Sequence, residues 1–247
     1  MLIAGLDLSA EPKGTALAIV DWSGQSAKLL QLNVGVDDEF IVANVREAEK
    51  LGIDCALGWP IEFVNFVQRH SSGDNTEFSG DMDSRRRLAY RETDRAVREL
   101  TGRWPLSVST DRLGLTAMRC AGLLSKLQTD GVTIDRSGAG KVVEIYPGAS
   151  LRLWGFDTSG YRTSSDLRAK LLEAIKLSAP WFEPGNFAEL MIESCDAFDS
   201  VIANFAARST QSGLSTHPRK EVANQARTEG WIALPQTSLS ELLASTN

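Results

Sequence analysis

Histidine is scarce in this 247-residue chain. His70 and His217 are the only two, and neither stands in a spacing that ligates zinc or completes a nucleophilic triad. Cysteine is scarce as well: Cys55, Cys120 and Cys195 are odd in number, far apart and outside any C-x-x-C pattern, which excludes a disulfide framework and reads as reduced structural thiols. No apolar run approaches the roughly 20 residues that cross a bilayer, and no basic-plus-apolar leader opens the sequence, so the expectation is a cytoplasmic protein with no membrane partner. Neither G-x-G-x-x-G nor G-x-x-x-x-G-K-[ST] occurs, which disfavours a dinucleotide-binding doubly wound domain. An excess of positive charge is also missing. With 26 Lys and Arg against 32 Asp and Glu, the formal net charge is -6, so polyanions are repelled overall and any nucleic-acid contact must be local.

What is present suits an α/β fold. With 43% hydrophobic residues the chain is long enough for one substantial core, and the expectation is a single domain over residues 1–247 with a loop and helical insertion at about 61–130. "LIAGLDLS", "GTALAIVDW" and "AKLLQLNV" read as strands joined by short turns, an antiparallel three-strand meander. "DEFIVANVREAEKL" has helical apolar spacing with Gly52 as its stop, and "IDCAL" follows as a short strand, so the sheet is mixed rather than all parallel. Residues 69–83 are polar and rich in Gly and Ser, a surface loop. Helices are expected near 84–101, 114–128, 148–154, 165–177 and 195–208, with "KVVEIYP" as a strand ended by Pro147. "GWIALP" reads as a last short strand or an extended packing segment.

With so little histidine, carboxylates are the groups left to carry chemistry. Asp7 lies near the carboxyl end of the first strand, on the face of Ile3 and Gly5; Asp54 lies in the short strand after the first helix; Glu144 lies near the end of "KVVEIYP". Taken singly, each is explained as a capping or salt-bridged residue. Together they stand where an α/β sheet presents groups to a cleft, and buried carboxylates need a partner such as a shared cation. Asp196 and Asp199, three apart on "ESCDAFDSVIANFAAR", sit opposite the stripe of Phe198, Val201, Ile202 and Phe205; the helix dipole accounts for one acid in a first turn but not for both. In "DSRRRLAYRETDRAVREL", read as one helix, Arg87, Arg91, Arg95 and Arg98 fall on a narrow face with Asp94 among them. That face is either a solvated ion-paired surface or the local positive charge that holds substrate phosphate. Trp59 and Trp104 are available for base stacking, with core packing or a lid as the plainer roles.

The segments "GLDLSAEPKGTALAIVD", "GIDCALGWP", "YRETDRAVREL", "VEIYPGASLRLWG", "DAFDSVIANFAAR" and "EGWIALP" together resemble the family catalogued as domain of unknown function 429, predicted nucleases with a ribonuclease-H-like fold. In ribonuclease-H-like enzymes such as the Holliday-junction resolvases, acids on the first strand, on the strand after the first helix and on the last helix bind divalent metal. By position the resemblance implies Asp7, Asp54 and Asp199, with Asp196 as a neighbour and Glu144 as a further acid. It also implies that Arg91 and Arg95 point into the cleft. Cys55 and Ala56 depart from the Ala and Pro expected after Asp54. The implied fold is a mixed sheet, the meander plus parallel strands, flanked by helices; the implied activity is hydrolysis of nucleic-acid phosphodiester bonds with Mg²⁺ or Mn²⁺, ions that oxygen-only donors suit. Two other classes compete. "GLDLSAEPKGTALAIVD" also resembles the first phosphate loop of actin-like ATP-dependent phosphotransferases, against which no second Gly-rich phosphate loop is found. A non-catalytic module binding a nucleotide or protein through the Arg face is the third.

Overall fold

The computed structural model of the chain describes residues 1–74 and 80–243. Six strands, β1 Leu2–Asp7, β2 Ala16–Asp21, β3 Ala27–Val34, β4 Lys50–Asp54, β5 Val142–Glu144 and β6 Phe182–Glu183, form one mixed sheet in the order β5-β4-β1-β2-β3-β6. The first three are the expected antiparallel meander, and β4, β5 and β6 add in parallel. Helices α1 Asp38–Asn44, α2 Ile61–Ser71, α3 Met82–Ala89, α4 Glu92–Thr101, α5 Gly114–Thr129, α6 Pro147–Leu153, α7 Ser165–Ser178, α8 Ala188–Glu193, α9 Cys195–Gln211 and α10 Ala223–Glu229 surround it. This is an α/β arrangement compatible with a ribonuclease-H-like fold.

Alternation along the strands divides the core in two. Ala4, Leu6, Leu51 and Ile53 pack on one face with Ile41 of α1 and Leu123 and Leu127 of α5. Ile3, Ala18, Val20 and Val143 pack on the other against α9, whose Phe198, Val201, Ile202 and Phe205 are fully buried. The long helix comes unusually close to the sheet. A Cβ built on Gly5 would lie 2.1 Å from the Ser200 carbonyl oxygen, and one on Gly52 would lie 2.7 Å from that of Ala203. Gly5 and Gly52 are register partners across β1 and β4, so together they make a flat seat for the helix backbone. Asn204 fastens the seat: its amide donates to the Ile3 carbonyl at 2.6 Å, and its oxygen accepts from the Trp22 indole at 3.1 Å.

Several expected boundaries move. The helix expected over "DEFIVANVREAEKL" stops at Asn44, and Lys50 instead opens β4, its ammonium drawn to the carbonyls of Gly138 and Gly140 at 2.7 and 2.6 Å. Residues 61–71 are helical, and 75–79 of the expected loop lie outside the described residues. The helix expected near 84–101 is broken at Tyr90 and Arg91, both extended, because the Arg91 amide is capped by the Asp94 carboxylate at 2.8 Å and a new helix starts there. "GWIALP" runs as an extended packing segment, bridging Ile232 to Glu144 and Pro235 to Ser215. Among the described residues no helix is long and apolar enough to cross a membrane.

The glycine seat yields a stability prediction. Gly5→Ala and Gly52→Ala each drive a methyl into helix backbone, and each is expected to cost about 2–4 kcal/mol, with Gly5→Ala the worse. Urea unfolding followed by circular dichroism measures both; two alanine variants as stable as the parent would contradict the seat.

Candidate functional site

Asp7 and Asp54 end their strands side by side. They are register partners in the parallel β1–β4 pair, whose backbones run about 4.8 Å apart, and alternation puts both on the face that α9 covers, two residues beyond the glycine seat. The seat therefore aims the first turns of α9 at them. Ser194 caps that helix by accepting the Ala197 amide at 3.1 Å, which places Asp196 in the first turn and Asp199 one turn on. The acids line a cleft of about 570 Å³ at the carboxyl ends of β1 and β4.

The electrostatics are those of crowded, poorly hydrated carboxylates. Burial, then the charges of Asp54, Asp199 and Asp196, push the Asp7 carboxyl well above its ordinary range. Burial and Asp199 push Asp54 up to about 8, and burial lifts Asp199 to about 6 even though Arg162 and Tyr161 oppose the rise. Asp196 is raised as well, chiefly by burial. Among the described residues neither the Asp7 nor the Asp54 carboxylate makes a hydrogen bond or ion pair within the chain. Asp199 is better served: the Tyr161 hydroxyl donates to it at 2.9 Å, and the Arg162 guanidinium pairs with it at 3.2 Å. The Cys195 thiol, 3.8 Å from the same carboxylate, is pushed up to about 12 by burial and by that negative charge. No group of three or more His, Cys, Asp or Glu already converges to metal-holding distance among the described residues.

Glu144 lines the same cleft but is differently placed. Its register partner is Ile53, not Asp54, so it rises from the opposite pleat of the sheet. There it is enclosed by Arg91, which donates to Glu144 Oε1 at 2.7 Å and Oε2 at 2.8 Å, while the Leu57 amide donates to Oε2 at 3.0 Å. Arg91 also donates to both oxygens of Asp94, at 3.2 and 2.9 Å, and to the Glu229 carbonyl at 3.1 Å. All five guanidinium N–H groups are occupied, and the side chain is buried. Burial opposes the charge on Arg91, yet Glu144 and Asp94 more than restore it and raise its pKa.

The expected arginine face is thus dispersed. Arg87 belongs to α3 and pairs with Glu62 at 3.5 Å; Arg91 is a buried N-cap that does line the cleft wall; Arg95, which does not line the cleft, pairs with Glu92; Arg98 is exposed on α4. The break at Tyr90 removes the single helix that the face required. Trp104 stacks on Tyr90 with ring centroids 4.1 Å apart, and Trp59 packs half-buried against the core. Residues that sequence reasoning missed are Tyr161 and Arg162. They stand in a loop whose partner Asp199 lies 38 residues from Tyr161, and no local pattern marks them.

Fold and site together define a mixed-sheet α/β protein with a carboxylate-lined cleft at the ends of two parallel strands. The chain belongs to the family described as protein of unknown function (DUF429), which matches residues 5–223. No curated protein and no solved structure matches it.

Two measurements follow from these contacts. Asp54, ordinarily near 3.8 and here near 8, keeps its proton in the folded chain where the unfolded chain loses it. Its stabilising contribution is complete below about pH 4 and is lost as the pH rises through about 8. Asp54→Asn is therefore expected to melt higher than the parent at pH 8 to 9, by about 2–4 °C for each kcal/mol of relieved strain, and to flatten the decline with pH. Calorimetric melts from pH 4 to pH 9 check it; variant and parent curves that stay parallel between pH 4 and 8 would contradict the shift. Arg91→Ala strands Glu144 and Asp94 without their counterion and is expected to cost about 3–5 kcal/mol in urea unfolding. Exposed Arg98→Ala should stay within about 0.5 kcal/mol.

Proposed function

We propose that the chain is a divalent-metal-dependent phosphodiesterase, a nuclease of the ribonuclease-H-like kind acting on nucleic-acid phosphodiester bonds. The observation that carries this reading is the pair Asp7 and Asp54, held in register on rigid strands, facing Asp199 and lacking any partner in the chain among the described residues. Asp7 and Asp54 are half-buried, Asp199 is buried, and carboxylates crowded together away from bulk water are costly unless a cation joins them. Their donor chemistry, oxygen alone and supplied by separate elements, fits Mg²⁺ or Mn²⁺ better than a nitrogen- or sulfur-preferring ion. Asp7, Asp54 and Asp199 would hold the ion, and Asp196, half-buried in the first turn of α9, would orient water beside it. When bound, such an ion lowers the pKa of water and neutralises charge on a phosphoryl oxygen.

The chain's own groups divide the remaining work. In hydrolysis the water oxygen bonds to phosphorus, the bond from phosphorus to the leaving oxygen breaks, and a proton from the water ends on that oxygen. With Asp7, Asp54 and Asp199 taken up as ligands of the ion, Asp196, half-buried in the first turn of α9, is the carboxylate left to accept that proton and pass it on. Glu144 serves by fixing Arg91 and the Leu57 backbone at the cleft wall, which is a positioning role. Ser9 and Gly14, from the β1–β2 connection, also line the cleft. That favours one second reading, an actin-like ATP-dependent phosphotransferase, which ATP consumption would identify.

The test is a Mn²⁺ titration by calorimetry, together with cleavage of single-stranded, duplex and branched DNA and RNA. Asp7→Asn and Asp199→Asn should stay folded, lose Mn²⁺ binding and lose cleavage. Asp196→Asn should weaken binding by about 10- to 100-fold. A folded Asp7→Asn that binds Mn²⁺ as the parent does, or a parent inert on every substrate, would refute the proposal.

A further inference from the structure

With Arg91 fully bonded in the core and Arg87 and Arg95 paired to Glu62 and Glu92, phosphate must be recognised by other groups. The cleft lining contains two more arginines, Arg112 and Arg162. Arg162 is the better built of the two. Its Nε donates to the Tyr161 hydroxyl at 3.2 Å, and its Nη2 pairs with Asp199 at 3.2 Å, while the Tyr161 hydroxyl donates to the other oxygen of Asp199 at 2.9 Å. Among the described residues Nη1 is unbonded, and the side chain remains 53% exposed although it lies beside four acids.

The loop that carries Arg162 is not free to wander. Arg168, buried on α7, donates to the carbonyls of Tyr161 at 2.8 Å and Arg162 at 3.3 Å. The same guanidinium donates to the carbonyls of Ile192 at 2.8 Å and Glu193 at 2.9 Å, directly ahead of the helix that carries Asp196 and Asp199. One buried cation thereby ties the Arg162 loop to the acid-bearing helix. A guanidinium held in advance loses less freedom on binding, and its planar fork matches two phosphate oxygens.

We propose that Arg162 is the phosphate-contacting residue of this cleft and that its substrate is a phosphodiester of dinucleotide size, free or at a single-stranded end, rather than a duplex. Three observations carry this: the open edge of Arg162 beside the acids, its anchorage through Arg168, and the size of the cleft. A volume of about 570 Å³ is that of a small-molecule site, typically about 300–1,000 Å³. Leu106, Leu113 and Tyr146 give it apolar walls for a sugar or base. A duplex, with one charge per roughly 1.7 Å, would need an extended cationic track. Here the net charge is -6, and the helical arginines expected to form such a track are divided between two helices and the core.

The inference rests on the metal-dependent reading of the same cleft, and the experiment separates the two. Fluorescein-labelled dithymidine phosphate and a labelled short DNA duplex are titrated with the full chain in Ca²⁺, chosen to slow turnover, and binding is read by anisotropy. The parent, Arg162→Ala, Arg162→Gln and Arg162→Lys are compared, with Mn²⁺ calorimetry on each. The expected result is dinucleotide binding by the parent, a loss of about 10- to 100-fold in Arg162→Ala and Arg162→Gln, and partial recovery in Arg162→Lys. Mn²⁺ affinity should be unchanged or tighter in the neutral variants, because a competitor for Asp199 is gone. If Arg162→Ala does not fold, the Gln and Lys variants decide. Dinucleotide affinity unchanged in Arg162→Gln, no dinucleotide binding by a parent that binds Mn²⁺, or a preference for the duplex would overturn the assignment. A parent that takes the dinucleotide through Arg162 but binds no Mn²⁺ would instead support the assignment and remove the metal-dependent reading.

Discussion

The backbone of α9 lies directly on β1 and β4, and most of the molecule is arranged around that contact. Only a residue without a side chain tolerates a carbonyl oxygen where its Cβ would stand, and Gly5 and Gly52 meet this need side by side. Asn204 completes the contact by satisfying the Ile3 carbonyl and the Trp22 indole in a region that water does not reach. Because helix and strands are rigid and touch at fixed points, the residues just beyond the seat inherit its precision. Asp7 and Asp54 follow the glycines by two positions, and Asp199 precedes Ser200 by one. The same contact that buries Phe198, Val201 and Phe205 thus sets the spacing of the acids.

Charge in the molecule is sorted by whether a partner is supplied. Glu144 and Asp94 are buried with a guanidinium that bonds to all four of their oxygens, so they behave as one internal unit between β5 and the inserted helices. Asp7 and Asp54 are given none, and burial together with the neighbouring acids raises their pKa values, whereas the rise that burial imposes on Glu144 is opposed by Arg91 and the Leu57 amide. The distinction comes down to pleat. Glu144 emerges opposite the face of Asp54, toward the Arg91 segment, and so acids that look equivalent in order along the chain have different electrostatic surroundings.

The arginines show the same sorting. A regular helix across residues 84–101 would have displayed four of them together, but an extended Tyr90 and the Asp94 cap redirect the chain and leave Arg91 in the core. Helical spacing is a statement about a continuous helix, and a single capping interaction of moderate energy is enough to void it. The arginines that do line the cleft beside it, Arg112 and Arg162, come from a segment leading into α5 and a loop before α7, where periodicity carries no information.

The meander, the strand at "GLD", the helix at "DAFDSVIANFAAR" and the candidate acids Asp7, Asp54, Asp196 and Asp199 were all legible in the sequence, because alternation, capping and apolar spacing are local properties. The family, too, was legible from the order of short motifs. Tertiary structure alone decided that Glu144 belongs with Arg91, that the 84–101 helix breaks, and that Tyr161, Arg162 and Arg168 join the acid-bearing helix. Each of these depends on which groups meet across long separations in sequence, and a buried charge takes the partner that packing brings to it rather than the one its neighbours in the chain suggest.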